Sequence, residues 1–208
     1  PYAVNGSLRN AGQVCVSVER IYVEDKIANE FEKLVLQEVK KYRVGSGFDD
    51  VDMGPLVSEN QRTHVLNQIE EAKKKGAKIL FGGEKIDGDG FFMQPTVMTN
   101  VSEKHDIMTR ETFGPVICIQ RVRNAEEAIE KSNDSAFGLG ATVWTKNVEK
   151  GRLIAQKIES GMIGVNGGIG GVSGTPWVGI KQSGFGYIGS IDGIRQFTVP
   201  KKISYKKK

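Results

Sequence analysis

The stretch Val116-Ile117-Cys118-Ile119-Gln120-Arg121-Val122-Arg123-Asn124-Ala125-Glu126-Glu127-Ala128-Ile129-Glu130-Lys131-Ser132 decides the fold class. Its first part is dense in β-branched residues, which pack well on a pleated surface, so 116–122 reads as a strand. Asn124 can then accept from the free backbone N–H groups that open a helix, and the helix runs through Ser132. The alternation continues downstream with a strand over 141–145, a helix capped by Asn147 and ending at Gly161, and a strand over 162–165. Strands separated by helices of this length pair in parallel through crossovers. The expected fold is therefore α/β, a three-layer α/β/α arrangement with a mostly parallel sheet covered on both faces. In such folds the chemistry sits on loops that leave the carboxyl ends of strands.

Upstream, residues 20–23 read as a strand and 26–42 as a helix with Ile27, Phe31, Leu34 and Val35 at helical spacing. Ser58 followed by Gln61 forms a capping box, Val65, Ile69 and Ala72 follow on one face, and Lys73 to Lys75 before Gly76 mark the end. Residues 78–81 read as a strand that Gly82-Gly83 breaks. Residues 91–98 are β-like, with Pro95 confining them to an edge or irregular position. Two glycine-rich segments, 167–174 and 181–193, read as long loops. Neither places Gly-x-Gly-x-x-Gly between a clear strand and a helix, so neither is a phosphate fingerprint.

A chain of 208 residues with 38% hydrophobic content can bury one sizeable core, and one compact domain is the expectation. No apolar run approaches the ~18 residues of a membrane span. The opening Pro1-Tyr2-Ala3-Val4-Asn5-Gly6 has neither an initiator Met nor the layout of a secretory signal. A piece of a longer chain is expected, with processing or truncated numbering as alternatives. Two cysteines give no disulfide framework and no multi-cysteine metal site, which points to a reducing, cytoplasmic setting and no metal. The net charge of +4 is most concentrated in the tail 200–208. Lysines there read as the protection of an exposed strand edge rather than as a nucleic-acid or membrane contact.

Asn10-Ala11-Gly12-Gln13-Val14-Cys15 puts a lone thiol at a glycine-containing turn just before the first strand. A free cysteine usually behaves as a small buried hydrophobe, a reading that suits Cys118 inside the apolar run 116–119. His64 in the second helix and His105 in a polar loop have no further ligand at metal spacing and read as surface residues. A papain-like hydrolase would need an imidazole beside the thiol, and neither histidine stands in a recognisable active-site segment.

The hexapeptide resembles the active-site motif Asn-x-Gly-Gln-x-Cys of the aldehyde dehydrogenase superfamily. Glu111-Thr112-Phe113-Gly114-Pro115 is similar to its Glu-x-Phe-Gly-Pro motif, and a strand follows as it should. Asn133 to Leu139, Gly164-Val165-Asn166 and 176–186 are similar to its later segments, with a departure at Val178, where glycine is commoner in the family. The resemblance covers the second half of the family's chain. It implies a catalytic domain over 1–197 and an oligomerisation strand over 198–208, as in a homodimer or homotetramer. The dinucleotide-binding domain, the oxyanion-holding Asn and the general-base Glu lie in the other half.

The implied chemistry is attack of Cys15 on a small-molecule aldehyde, hydride transfer to NAD or NADP, and release of a thioester to water, with a CoA-acylating enzyme or a catalytically silent oligomerisation module as alternatives. Thiolates are strong nucleophiles, which is why this chemistry wants a cysteine. The resemblance gives Glu111 the ribose hydroxyls on the nicotinamide side and Phe113 the nicotinamide itself. It places Arg9 and Trp177 on the substrate tunnel, and Arg9 stands where succinate-semialdehyde dehydrogenases hold the substrate's far carboxylate. A planar guanidinium fork suits that task. A general aliphatic or aromatic aldehyde is the other reading.

Overall fold

The computed structural model describes residues 1–170 and 173–207. The chain divides into two compact units, Pro1–Lys131 and Ser132–Lys208.

The first unit opens with α1 (Tyr2–Leu8), then a tight turn over Arg9–Gly12, β1 (Arg20–Glu24), α2 (Asp25–Val39), α3 (Glu59–Lys74), β2 (Lys78–Phe81), β3 (Thr96–Thr99), α4 (Asp106–Thr109) and β4 (Val116–Val122); α5 (Ala125–Asn133) follows across the boundary. Its sheet runs in the order β1-β4-β3-β2. Cys118 on β4 pairs with Arg20 of β1 on one side and Met98 of β3 on the other, both in parallel register. Only β2 is antiparallel, at the edge. The fold is thus mixed α/β with a mostly parallel central sheet, as the alternation requires. Ile117, Cys118 and Ile119 are all buried, which explains why β4 is a continuous apolar run rather than an alternating one. Val65, Ile69 and Ala72 of α3 are buried as their spacing demands, and Ser58 caps that helix by accepting the Gln61 N–H at 3.2 Å.

The second unit holds β5 (Phe137–Gly138), β6 (Gly140–Val143), α6 (Val148–Ala155), β7 (Met162–Val165), β8 (Trp177–Val178), β9 (Ile180–Lys181), β10 (Tyr187–Ile188) and α7 (Ile191–Arg195). β6 and β7 are parallel across the α6 crossover, while β5 pairs with β9 and β8 with β10 in antiparallel ladders. Asn147 caps α6 by accepting the Lys150 N–H at 2.9 Å.

Several expectations are corrected. The β-like stretch 91–98 yields a strand only from Thr96, because Pro95 lacks an N–H and its carbonyl presses on Gly82, where a Cβ would lie 2.1 Å away. The helices expected to end at residue 42 and at Gly161 stop at Val39 and Ala155. The segment 181–193 is no simple loop, since it contains β10 and the start of α7, which Ser190 caps through Gly193 N–H at 3.1 Å. His105 is buried rather than on the surface; its Nδ1 accepts the Ser102 N–H at 2.9 Å. The loop expected over 167–174 includes Gly171 and Val172, which lie outside the described residues. Among the described residues, 199–207 join no ladder. Among the described residues no helix is long and apolar enough to cross a membrane, and no group of three His, Cys, Asp or Glu side chains is placed to hold a metal ion.

Candidate functional site

The backbone before Cys15 runs through three successive left-handed residues, Asn10 (φ 53°), Ala11 (φ 55°) and Gly12 (φ 74°). Side chains cost free energy in that region, so something must hold it there. Asn10 Nδ2 donates to Gln13 O at 3.1 Å, and Gln13 Nε2 donates back to Asn10 O at 3.1 Å. Gln13 also accepts the Val57 N–H at 2.8 Å and reaches Pro55 O at 3.3 Å, anchoring the turn to the segment before α3. The Asn and Gln of the hexapeptide therefore shape the turn. Their spacing is legible in the sequence; this bonding pattern is not.

Beyond the turn, Ser17 N–H closes on Val14 O at 2.8 Å, with Cys15 exposed inside the loop so formed. The far side of this loop is tied to α1. Val18 N–H donates to Gly6 O at 3.0 Å, and the buried Ser7 Oγ lies 2.6 Å from Val18 O. No acceptor among the described residues takes the Cys15 N–H. The thiol thus stands on a braced turn with a free amide beside it.

The segment from Glu111 to Pro115 lies against the same turn. A Cβ on Gly12 would sit 2.0 Å from Gly114 O, so the two backbones touch and no side chain fits between them. Phe113 is itself left-handed (φ 46°), partly buried, and gripped from both sides. Glu19 Oε1 accepts the N–H groups of Thr112 and Phe113 at 2.8 and 3.2 Å. Gln61 Nε2 donates to the carbonyls of the same two residues at 2.9 and 3.0 Å. Burial pushes the Glu19 carboxyl up from its ordinary value, against the pull of the two amides. Glu111 is exposed at the head of this segment. An open hollow of about 440 Å³ is bordered by Asn10, Gln13, Gln61 and Phe113.

Arg9 borders a second hollow of about 350 Å³, which Asn10 also lines. Its carboxylates already have cations: Asp52 pairs with Arg43 at 3.2 Å and Glu38 with Lys41 at 2.6 Å. Arg9 is exposed and makes no ion pair among the described residues. Cys118 is buried, and desolvation, followed by the nearby charge of Glu19, pushes its thiol up to about 12. It is a packing residue. His64 is exposed, with Nε2 3.5 Å from Glu111 O.

Arg9, Cys15, Glu111 and Phe113 all belong to the first unit, but Phe113 and Arg9 border different hollows and Cys15 and Glu111 line neither. Trp177 belongs to the second unit, on β8, half-exposed. Glu19 and Gln61 were not singled out as site residues from sequence, because their partners at 112 and 113 are far along the chain. Only the capping role of Gln61 was visible.

The family model described as "Aldehyde dehydrogenase family" matches residues 1–203. A protein of Mycobacterium ulcerans named putative succinate-semialdehyde dehydrogenase (NADP(+)) 2 is 38% identical over 207 residues, covering 97% of this chain and 40% of its own length. A putative succinate-semialdehyde dehydrogenase (NADP(+)) of Mycolicibacterium smegmatis is 39% identical over 201 residues, 94% of this chain and 39% of its own. Among solved structures, betaine aldehyde dehydrogenase of Staphylococcus aureus in complex with NAD+ superposes with a TM-score of 0.90 at 34% identity, over 99% of this chain and 44% of that one. The chain spans about 40% of the length of the curated relatives it matches.

Proposed function

The chain belongs to the aldehyde dehydrogenase family, and on that premise we propose that it is the catalytic part of an NAD(P)-dependent enzyme oxidising an aldehyde to a carboxylate through Cys15. The observation that carries the proposal is the direct backbone contact of Gly12 with Gly114, which locks the turn bearing the exposed thiol onto the segment bearing Glu111 and Phe113.

The Cys15 thiolate attacks the carbonyl carbon, its sulfur forming a bond as the C=O electrons move to oxygen. The Cys15 N–H is available to that oxyanion, and one such preorganised donor contributes about 2.7–4 kcal/mol in other enzymes. As the C=O bond reforms, the carbon loses hydride and the sulfur is left in a thioester. A bound nicotinamide dinucleotide supplies the hydride acceptor. The residues present suit its nicotinamide end, since Phe113 offers a ring at the 440 Å³ hollow and Glu111 an exposed carboxylate for ribose hydroxyls. Water then cleaves the thioester to a carboxylic acid and the free thiol. The activating base for that water belongs to the part of the family's chain outside this stretch. NADP in the names of the mycobacterial relatives and NAD+ in the staphylococcal complex support a nicotinamide cofactor of either kind.

The substrate class that fits best is a semialdehyde with a distal acid group. Arg9 is exposed without an ion pair among the described residues while its neighbours are charge-matched, and the mycobacterial relatives carry succinate-semialdehyde names. Kinetics of the complete enzyme test both points. Cys15→Ala abolishes aldehyde oxidation in a folded protein. Arg9→Leu lowers kcat/KM for succinate semialdehyde by roughly 10- to 150-fold, the loss of one charge-assisted contact, and leaves an uncharged aldehyde of similar length nearly unaffected. Equal losses for both substrates would eliminate the carboxylate role, and an active Cys15→Ala enzyme the nucleophile.

A further inference from the structure

We infer that Glu19 is the positioning residue of the cofactor side of this site, setting where the Phe113 ring stands by accepting the N–H groups of Thr112 and Phe113. The inference rests on the proposed roles of Cys15 and Phe113 and adds a residue that neither motif contains. Strand pairing fixes the segment only from Thr96 N–H, which donates to Pro115 O at 2.8 Å, onward into β4. Ahead of that point the chain makes a left-handed step at Phe113 that a phenylalanine does not hold unaided. Glu19 supplies the hold with a single oxygen, at 2.8 Å to Thr112 N–H and 3.2 Å to Phe113 N–H.

The choice of a carboxylate carries information. Its ionised form is disfavoured by burial and by the charge of Glu111, and favoured by the two amides and by Arg20. A charge-assisted acceptor grips amides more strongly than a neutral one, at the cost of desolvation. Glu19 also lies on the short stretch between the Cys15 loop and β1, a stretch stapled to α1 through Val18 and Ser7. One segment thus carries the thiol at one end and the carboxylate that places Phe113 at the other. Gln61 holds the carbonyls of the same two residues from α3, so the segment is clamped between elements that are far apart in sequence.

The test compares Glu19→Ala, Glu19→Asp and Glu19→Gln with Phe113→Ala in the complete enzyme, reading the KM for cofactor, kcat, and the rate of Cys15 alkylation by iodoacetamide. Glu19→Ala is expected to raise the cofactor KM or lower kcat by about 10²-fold in total, the size of effect that follows a misplacement near 1 Å. Cys15 alkylation stays within about twofold of wild type. Glu19→Gln keeps an Oε1 that accepts both amides and recovers most of the loss, whereas Glu19→Asp, short by a methylene, stands between. In the 208-residue chain, hydrogen exchange at the Thr112 and Phe113 amides speeds up in Glu19→Ala and Glu19→Asp while β4 stays protected. If Glu19→Ala is insoluble, the Asp and Gln variants decide alone. Wild-type cofactor kinetics in Glu19→Asp, a Gln variant as impaired as Ala, or alkylation falling in parallel with cofactor affinity would each overturn the inference. Phe113→Ala separates the levels: if it impairs cofactor use and the Glu19 variants do not, only the inference fails, and if it has no effect, the cofactor role of Phe113 falls and takes the inference with it.

Discussion

Replacing Gly12 by alanine attacks the contact on which the site depends. The residue sits at φ 74°, where a Cβ costs about 1–2 kcal/mol by itself. The added methyl would also lie 2.0 Å from Gly114 O and 2.4 Å from Gly114 C. Those atoms are backbone, and Gly114 cannot retreat, because its own Cα faces the buried Val65 side chain, with a Cβ position only 2.5 Å from Val65 Cγ2. Relief therefore requires the two segments to part by about 1 Å, opening a close-packed contact. Strain and lost packing together come to roughly 3 kcal/mol or more, in the range reserved for overpacked cores and special backbone positions. For a chain of this size each kcal/mol moves Tm by about 2–4 °C, so Gly12→Ala is expected to melt about 10 °C below wild type. Gly54→Ala is the control, since its Cβ would meet nothing within 4 Å and its φ is not positive. The assay is thermal unfolding by circular dichroism on the 208-residue chain. A Gly12→Ala midpoint within 2 °C of wild type, or a Gly54→Ala loss of equal size, would refute the reasoning.

Iodoacetamide at pH 8 is expected to modify Cys15 and leave Cys118 untouched in the folded chain, because a buried thiol at about 12 is ionised to only about one part in 10⁴ there; a second adduct by mass spectrometry under native conditions would contradict the burial of β4. Glu19 predicts a pH dependence of stability: its folded carboxyl is raised above the ordinary 4.5, so its favourable contribution is complete below the unfolded value and is lost as pH rises through the folded one. Urea unfolding of wild type and Glu19→Gln at pH 4 and pH 8 should therefore show the difference shifting in favour of Gln at the higher pH, and a shift the other way would reverse the assignment. Deleting 198–208 from the complete enzyme is expected to yield smaller species in sedimentation, since Val199, Ile203 and Tyr205 are 91%, 78% and 87% exposed and belong to no ladder among the described residues; an unchanged assembly would remove the strand's role.

What could be read in the sequence is what short-range physics fixes. β4 was legible because a strand buried on both faces must be apolar throughout, and α3 because Ser58 and Gln61 advertise its start to their immediate neighbours. What could not be read depends on partners distant in the chain. α1 carries Asn5 and Gly6, poor helix formers, yet its Ser7 is buried and bonded to Val18 O beyond the Cys15 loop. In 181–193 the glycines suggested a loop, but Gly186 and Gly189 use positive φ to flank β10, which finds its partner back at β8. His105 looked polar and exposed because only the fold shows that it folds back onto the Ser102 N–H inside the packing of α4.

The site divides in the same way. Cys15 is visible as a thiol in a turn, but the left-handed run that presents it includes Ala11, a residue no turn rule selects, and is paid for by bonds from Asn10 and Gln13. Glu19 carries no signal of its own in the sequence, since its partners at 112 and 113 come together with it only when β1 pairs beside β4. Parallel pairing is what makes this possible: it brings the entrances of β1 and β4 to the same end of the sheet, so the loops leading into them, one with Cys15 and the other with Phe113, meet there. The general rule for parallel sheets places sites beyond the carboxyl ends of strands. Here the thiol and the Phe113 segment precede β1 and β4 instead. The contact of Gly12 with Gly114 follows from that placement, because two loops forced to share one end of adjacent strands can approach this closely only where both lack a side chain.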